Sequence, residues 1–194
     1  MPSMLMLPET EIKIYKSNLG IYERAQQLTN VPKELIAATH YRESSMSTSI
    51  KNPFQFDPEP DDSTRARLYV QHSFIPPSQV AMWVGKGVND LLTAAVLAGA
   101  FLNYKCRYVH GVATAAASWN DEMVKDAAFG YNGRAATSPM ESAYVVNGLD
   151  KAHMNMMIRG TMPDPNDPSK RIGVNEPDHR LGVYTAFLQL KKVK

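Results

Sequence analysis

The stretch from Asp90 to Tyr104 limits this chain more than any other. Wound as a helix it is apolar on nearly every side, so it has no face to give to water and belongs in the middle of a domain. Its most apolar part, Leu91 to Leu102, is too short to cross a bilayer, and no membrane insertion is expected. A helix of this kind needs other elements to wrap it. The chain has 194 residues, 44% of them hydrophobic and 21% charged, which is enough to bury a core without staples. The expectation is a mainly α fold, a single domain over 1–194 built around a buried central helix, with a small irregular or β-like segment.

The flanking segments supply the wrapping. Tyr15, Leu19, Tyr22, Ala25 and Leu28 recur at helical spacing, which predicts one amphipathic helix from about Glu11 to Thr29. Asn30-Val31-Pro32 reads as a stop and a restart. The helix that follows, Pro32 to Ser44, carries Ile36, His40 and Glu43 on one face. Asn52 to Asp62 is rich in Pro and Asp and reads as loop or a short extended piece. A helix is expected at Pro77–Val84, ended by Gly85-Lys86-Gly87, which lacks the spacing of a phosphate loop. Val112–Phe129 is Ala-rich and helical by propensity, and Gly130–Ser138 reads as loop. Met140–Met157 suggests a helix with Tyr144, Met154 and Met157 in the core. Pro163–Pro177 holds four prolines and reads as a long loop or flap. Arg180–Leu190 closes the chain as a helix with Leu181, Tyr184 and Leu188 on one side.

Several chemistries are set aside by composition. The net charge of +2 and pI of about 8.6 are too weakly basic to argue for nucleic acid, although they would suit an anionic polymer. With Cys106 as the one cysteine, no intramolecular disulfide can form, and the residue reads as a small buried hydrophobe. His40, His72, His110, His153 and His179 are scattered without metal-ligand spacing, so neither a metal nor a cofactor is expected. Met4 to Leu7 is apolar but short, lacks a basic lead and stops at Pro8, so no secretory signal is read.

Glu43 is the carboxylate that physics singles out. It closes an apolar helix, where burial and the partial negative charge of a helix C-terminus both favour the protonated form. A carboxylic acid that keeps its proton near neutral pH can give it to a glycosidic oxygen. Composition alone favours a plainer reading, a surface glutamate paired with Arg42 or a lysine. The surrounding residues change that weighting. Val31-Pro32-Lys33-Glu34-Leu35-Ile36-Ala37-Ala38-Thr39-His40-Tyr41-Arg42-Glu43-Ser44 resembles the first motif of lytic transglycosylases and related lysozyme-like enzymes, in which an apolar helix ends in Glu-Ser. Asn52-Pro53-Phe54-Gln55 resembles that family's Gly-Leu-Met-Gln stretch, matching at Gln55 and in the apolar residue before it. Phe129-Gly130-Tyr131-Asn132-Gly133 resembles its Ala-Tyr-Asn-Ala-Gly motif, matching at Tyr131 and Asn132. Ala95 to Tyr104 resembles its buried central helix. The likeness spans residues 31–133, and 134–194 would supply C-terminal helices and a long loop to the same domain. Departures occur where Asn-Pro-Phe replaces Gly-Leu-Met and where Arg134 stands at the end of the third motif.

The resemblance implies a lysozyme-like α+β fold and a muramidase acting on peptidoglycan glycan strands, at the β-1,4 bond between N-acetylmuramic acid and N-acetylglucosamine. Glu43 would be the catalytic acid. Ser44, Gln55, Tyr131 and Asn132 would contact the sugar or the acid, although local turn or cap bonding is an equal reading for Ser44 and Asn132. Phe54, Phe56, Tyr41 and Trp83 are candidate stacking surfaces, but aromatics are more often core, and His40 reads as a helix residue with a satisfied ring. A hydrolase would use a second carboxylate. Asp57 is best placed, with Asp61 and Asp62 behind it, and all three also read as a solvated acidic loop. Without one, Glu43 would serve as acid and then base, leaving an anhydro sugar. The missing signal fits a phage lysin or virion-associated lysin delivered through a tail or a holin. A non-catalytic wall-binding or virion structural protein with the same fold is the alternative.

Overall fold

The computed structural model describes residues 6–106, 118–131, 157–164, 167–177 and 181–194. The protein is mainly helical. Among the described residues there are eight α-helices: α1 (Glu9–Ser17), α2 (Leu19–Thr29), α3 (Lys33–Ser44), α4 (Asp62–His72), α5 (Pro77–Gly85), α6 (Leu91–Lys105), α7 (Asp121–Tyr131) and α8 (Val183–Leu190). Two strands, β1 (Met157–Asp164) and β2 (Asp167–Pro177), pair antiparallel between α7 and α8. No helix among the described residues is long and apolar enough to cross a membrane.

The central helix is where the apolar run requires it. In α6 every residue from Thr93 to Ala100 is buried, as are Leu102 and Asn103. Asp90 caps it by accepting the Thr93 N–H at 3.0 Å. α2, α3, α4 and α7 all pack on α6. Against α2 the approach is close because Gly99 faces Thr29. Asn103, wholly buried, donates through Nδ2 to the carbonyls of Thr29 (2.8 Å) and His72 (2.9 Å). One amide thus satisfies the last carbonyls of both α2 and α4, which those helices leave without partners of their own. α3 is also enclosed: Leu35 through Arg42 are all buried, between α2, α6 and α8.

Several elements differ from expectation, each for a local reason. The single helix predicted from Glu11 to Thr29 is two, because Asn18 leaves helical geometry (φ −102°, ψ 11°) and its side chain donates to the Ile14 carbonyl at 3.1 Å. α4 has no counterpart in the sequence reading. Its inward stripe is Arg65, Leu68, Tyr69 and His72, and two polar residues on it hide the apolar period. Of the helix predicted over Val112–Phe129, the described part is not helical at 118–120 and forms α7 from Asp121, where Asn120 Oδ1 accepts the Met123 N–H at 3.0 Å. Residues 107–117 lie outside the described residues. Gly130 and Tyr131, expected in a loop, are the last residues of α7. The helix expected over Met140–Met157, with Tyr144 and Met154, lies outside the described residues except for Met157, which opens β1.

The long loop or flap expected at Pro163–Pro177 falls instead in paired strands, Pro163 and Asp164 at the end of β1 and Asp167–Pro177 as β2, with Ile158 opposite Glu176 and Met162 opposite Ile172; residues 165–166 lie outside the described residues. In a two-stranded ribbon each strand has a free edge where a proline's missing N–H is not needed. β-branched Ile158, Thr161, Ile172 and Val174 favour the extended chain. In α8 Val183, Tyr184, Ala186, Phe187, Gln189 and Leu190 are buried; Leu181 and Tyr184 are inward as expected, whereas Leu188 is exposed.

Candidate active site

Glu43 lies in the last turn of α3, half-buried, where the helix stops because Ser45 and then Met46 take left-handed backbone (φ 52° and 58°). Ser45 N–H still reaches the Tyr41 carbonyl at 2.8 Å, and Met46 is wholly buried. The end of the helix is therefore anchored on both sides of the acid. The Glu43 carbonyl, one of those a helix cannot satisfy itself, accepts a hydrogen bond from Gln55 Nε2. Gln55 comes from the Asn52–Asp62 loop, which the structure also shows as irregular until α4 starts at Asp62.

Tyr131 arrives from the end of α7. Its hydroxyl donates to the Phe54 carbonyl at 3.2 Å, and its ring meets Phe101 edge-on with centroids 5.5 Å apart. Burial pushes the phenol well above its usual range, and the negative charge of Glu43 pushes it further. Tyr131 is thus a neutral hydroxyl donor, within electrostatic reach of the carboxylate.

Glu43, Gln55, Asp57 and Tyr131 line one cleft of about 550 Å³, together with Phe56, Glu59, Asp61, Thr64, Phe101 and Lys105. Three of these residues, Glu43, Lys105 and Tyr131, stand at the C-terminal ends of α3, α6 and α7. Asp61 is committed to capping α4: it accepts the Thr64 N–H at 2.7 Å and the Ser63 hydroxyl at 3.0 Å. Those bonds, the Thr64 N–H first, hold its carboxyl below the usual range. Glu59 and Asp62 both pair with Arg65. Asp57 is exposed and borders the cleft. Among the described residues no group of three or more His, Cys, Asp or Glu side chains is gathered to hold a metal ion.

No protein-family model, curated protein or solved structure matches this chain. The site therefore has to be read from its own geometry.

Other candidates fall elsewhere. Ser44 turns its hydroxyl back to the His40 carbonyl at 3.3 Å, the local bonding that competes with a sugar contact, and it is not among the residues that border the cleft. Asn132 lies outside the described residues. Phe54, Tyr41 and Trp83 are core rather than stacking surfaces, at 0%, 3% and 4% exposure, and Phe56 reaches the cleft with only 8% exposed. His40 is wholly buried with both ring nitrogens bonded. The Ser47 carbonyl, 3.0 Å from Nε2, can only accept, so Nε2 carries the hydrogen and Nδ1 accepts the Tyr22 hydroxyl at 2.8 Å. Cys106 is buried, its thiol 3.4 Å from the Met123 carbonyl. Sequence reading missed Phe101 and Lys105 in the cleft wall. Phe101 and Tyr104 are the partly buried rings at the end of an otherwise enclosed α6, and Lys105 lies over the Phe101 ring at 4.9 Å.

Proposed function

We propose that this protein is a bacteriolytic muramidase of lysozyme-like α+β character, cleaving the β-1,4 bond between N-acetylmuramic acid and N-acetylglucosamine. The observation that carries this reading is the meeting of Glu43, Gln55 and Tyr131. Three sequence motifs in a fixed order supply them, from α3, the following loop and α7, and they border one cleft. Its volume falls in the range of small-molecule sites. Its walls mix aromatic faces with hydrogen-bonding groups, which suits sugar rings.

In this mechanism Glu43 gives its proton to the glycosidic oxygen as the bond to the muramic anomeric carbon breaks. The anomeric carbon then gains an oxygen. Water supplies it in a hydrolysis and gives its proton back to Glu43, with Asp57 stabilising the cationic centre or forming the covalent intermediate that water then opens. In a transglycosylation the muramic 6-hydroxyl adds instead, and its proton returns to Glu43. The two routes share the acid and differ in their need for Asp57. Gln55 and Tyr131 hold the end of α3 and the loop in one arrangement.

The test is turbidity loss of purified peptidoglycan, with products read by mass spectrometry. Glu43→Gln should lower the rate by about 100-fold or more, the scale of general acid catalysis. Asp57→Asn should do so only if the products carry reducing ends. Retained lysis by Glu43→Gln would remove the assignment, and binding without lysis by the wild type would make the protein a wall-binding module.

A further inference from the structure

The loop that brings Gln55 to α3 is closed by a side chain to which the proposed chemistry gives no part. Asn52 Nδ2 donates to the Phe56 carbonyl at 2.9 Å, and Asn52 Oδ1 accepts the Phe56 N–H at 3.0 Å. One carboxamide thereby engages both backbone groups of one residue, as a paired strand residue does. The Asn52 carbonyl also accepts the Gln55 N–H at 2.9 Å. Residues 52–56 form a closed turn in which Asn52 and Gln55 both take left-handed backbone, at φ 54° and 49°. For Gln55 that conformation is unfavourable unless its surroundings impose it. In this turn Gln55 Nε2 bonds the Glu43 carbonyl, Phe54 offers its carbonyl to Tyr131, and the Phe54 ring stacks on His40 at 4.9 Å. The acid-bearing helix end, the loop and α7 are tied together through these five residues.

We infer that Asn52 is a positioning residue for the acid: its carboxamide closes the 52–56 turn, holds Gln55 against the end of α3, and so fixes Glu43 relative to Tyr131. This rests on the reading of Glu43 as the acid. An asparagine tolerates left-handed backbone better than most residues, which would account for its presence at φ 54° but not for two bonds to Phe56. Glycine separates these roles, since it keeps the backbone freedom and loses both bonds.

The experiment compares wild type, Asn52→Gly and Asn52→Asp in peptidoglycan turnover, each first shown by circular dichroism to be folded at the assay temperature. Aspartate keeps the acceptor for the Phe56 N–H and sets a carboxylate oxygen against the Phe56 carbonyl in place of the donor. Both variants should lose about 10-fold or more in kcat, as small misplacements of a catalytic group do. KM should stay within about 2-fold, because the loss falls on the transition state. Wild-type kcat in either folded variant overturns the inference. A rise in KM at unchanged kcat also overturns it, by assigning the turn to sugar binding. Should Glu43→Gln lyse as well as wild type, the acid assignment falls and this inference with it; an active wild type, an inactive Glu43→Gln and a fully active Asn52→Gly refute the positioning role alone.

Discussion

Replacing Gly99 by alanine tests how closely α2 and α6 are fitted. A methyl group added at Gly99 would lie 2.6 Å from Thr29 Oγ1, 2.9 Å from Cγ2 and 3.0 Å from Cβ. Comfortable contacts start at roughly 3.5 Å. Thr29 cannot swing aside. It is wholly buried and β-branched, its hydroxyl donates to the Ala25 carbonyl at 2.8 Å, and Oγ1 accepts the Val31 N–H at 3.3 Å. The helices must therefore part. Overpacking of this kind costs about 1–3 kcal/mol, and alanine returns up to about 1 kcal/mol of helix propensity. The net loss should be about 1–2 kcal/mol, a fall in melting temperature of about 2–8 °C for a chain of this length. Differential scanning calorimetry reads it directly. In a Thr29→Ala background the two nearest atoms are gone, so Gly99→Ala should cost less there, with a coupling above about 0.5 kcal/mol. A melting temperature that rises with Gly99→Ala would refute the reasoning, because propensity would then outweigh a contact that the helices could relieve by moving apart.

Two further substitutions probe the polar core. Asn103→Leu strips a donor from two buried carbonyls, Thr29 and His72, and should cost about 2–5 kcal/mol in urea denaturation; a loss under about 0.5 kcal/mol would mean those carbonyls find other partners. His40 gives a pH signature. Burial pushes its imidazole down from 6.5 to about 4, so between those values the unfolded chain takes up a proton that the fold refuses. The stability due to neutral His40 is complete above pH 6.5, declines as pH falls, and stops declining below about pH 4, with a slope of up to about 1.4 kcal/mol per pH unit. His40→Gln should flatten that part of the stability profile, and equal slopes in the two proteins would remove the assignment.

How much of this was legible depended on whether the signal was local. α6 was, because a run with no polar face has few other places to go: Asp90–Tyr104 was expected and Leu91–Lys105 is observed. α3 was legible with Glu43 in its last turn, and the Pro- and Asp-rich loop after it was too. α4 was not, because Arg65 and His72 occupy inward positions and their burial is set by tertiary packing. Turn-forming letters misled in two places. Gly130 sits within the final turn of α7 without ending it, and Pro163, Pro168 and Pro177 fall in a two-edged pair of strands. In the cleft, Glu43, Gln55 and Tyr131 could be named from motifs and Asp57 from its place just after one, whereas Phe101 and Lys105 depend on how separate segments meet and the Asn52 bonds to Phe56 on how the turn closes.

That meeting has a consequence for how the cleft should respond to change. Glu43, Lys105 and Tyr131 ride on helix ends, and the helices that carry them share α6 as a common support. Gln55 and Asp57 ride on a loop braced by its own bonds, Asn52 to Phe56 at one end and the Asp61 cap of α4 at the other, and tied to the helix ends through Gln55 and Phe54. Core substitutions should therefore act on all the helix-borne groups at once. Asn103 and Gly99 lie within two residues of Phe101 along α6, so a shift that parts α2 from α6 also moves a wall of the cleft. Loop substitutions should instead release Gln55 from the Glu43 carbonyl and loosen the last turn of α3 locally, while leaving the packing of the helices on α6 as it is. Stability and turnover should fall together for Gly99→Ala and Asn103→Leu, and separately for changes at Asn52, because only the helix-borne wall shares its support with the core.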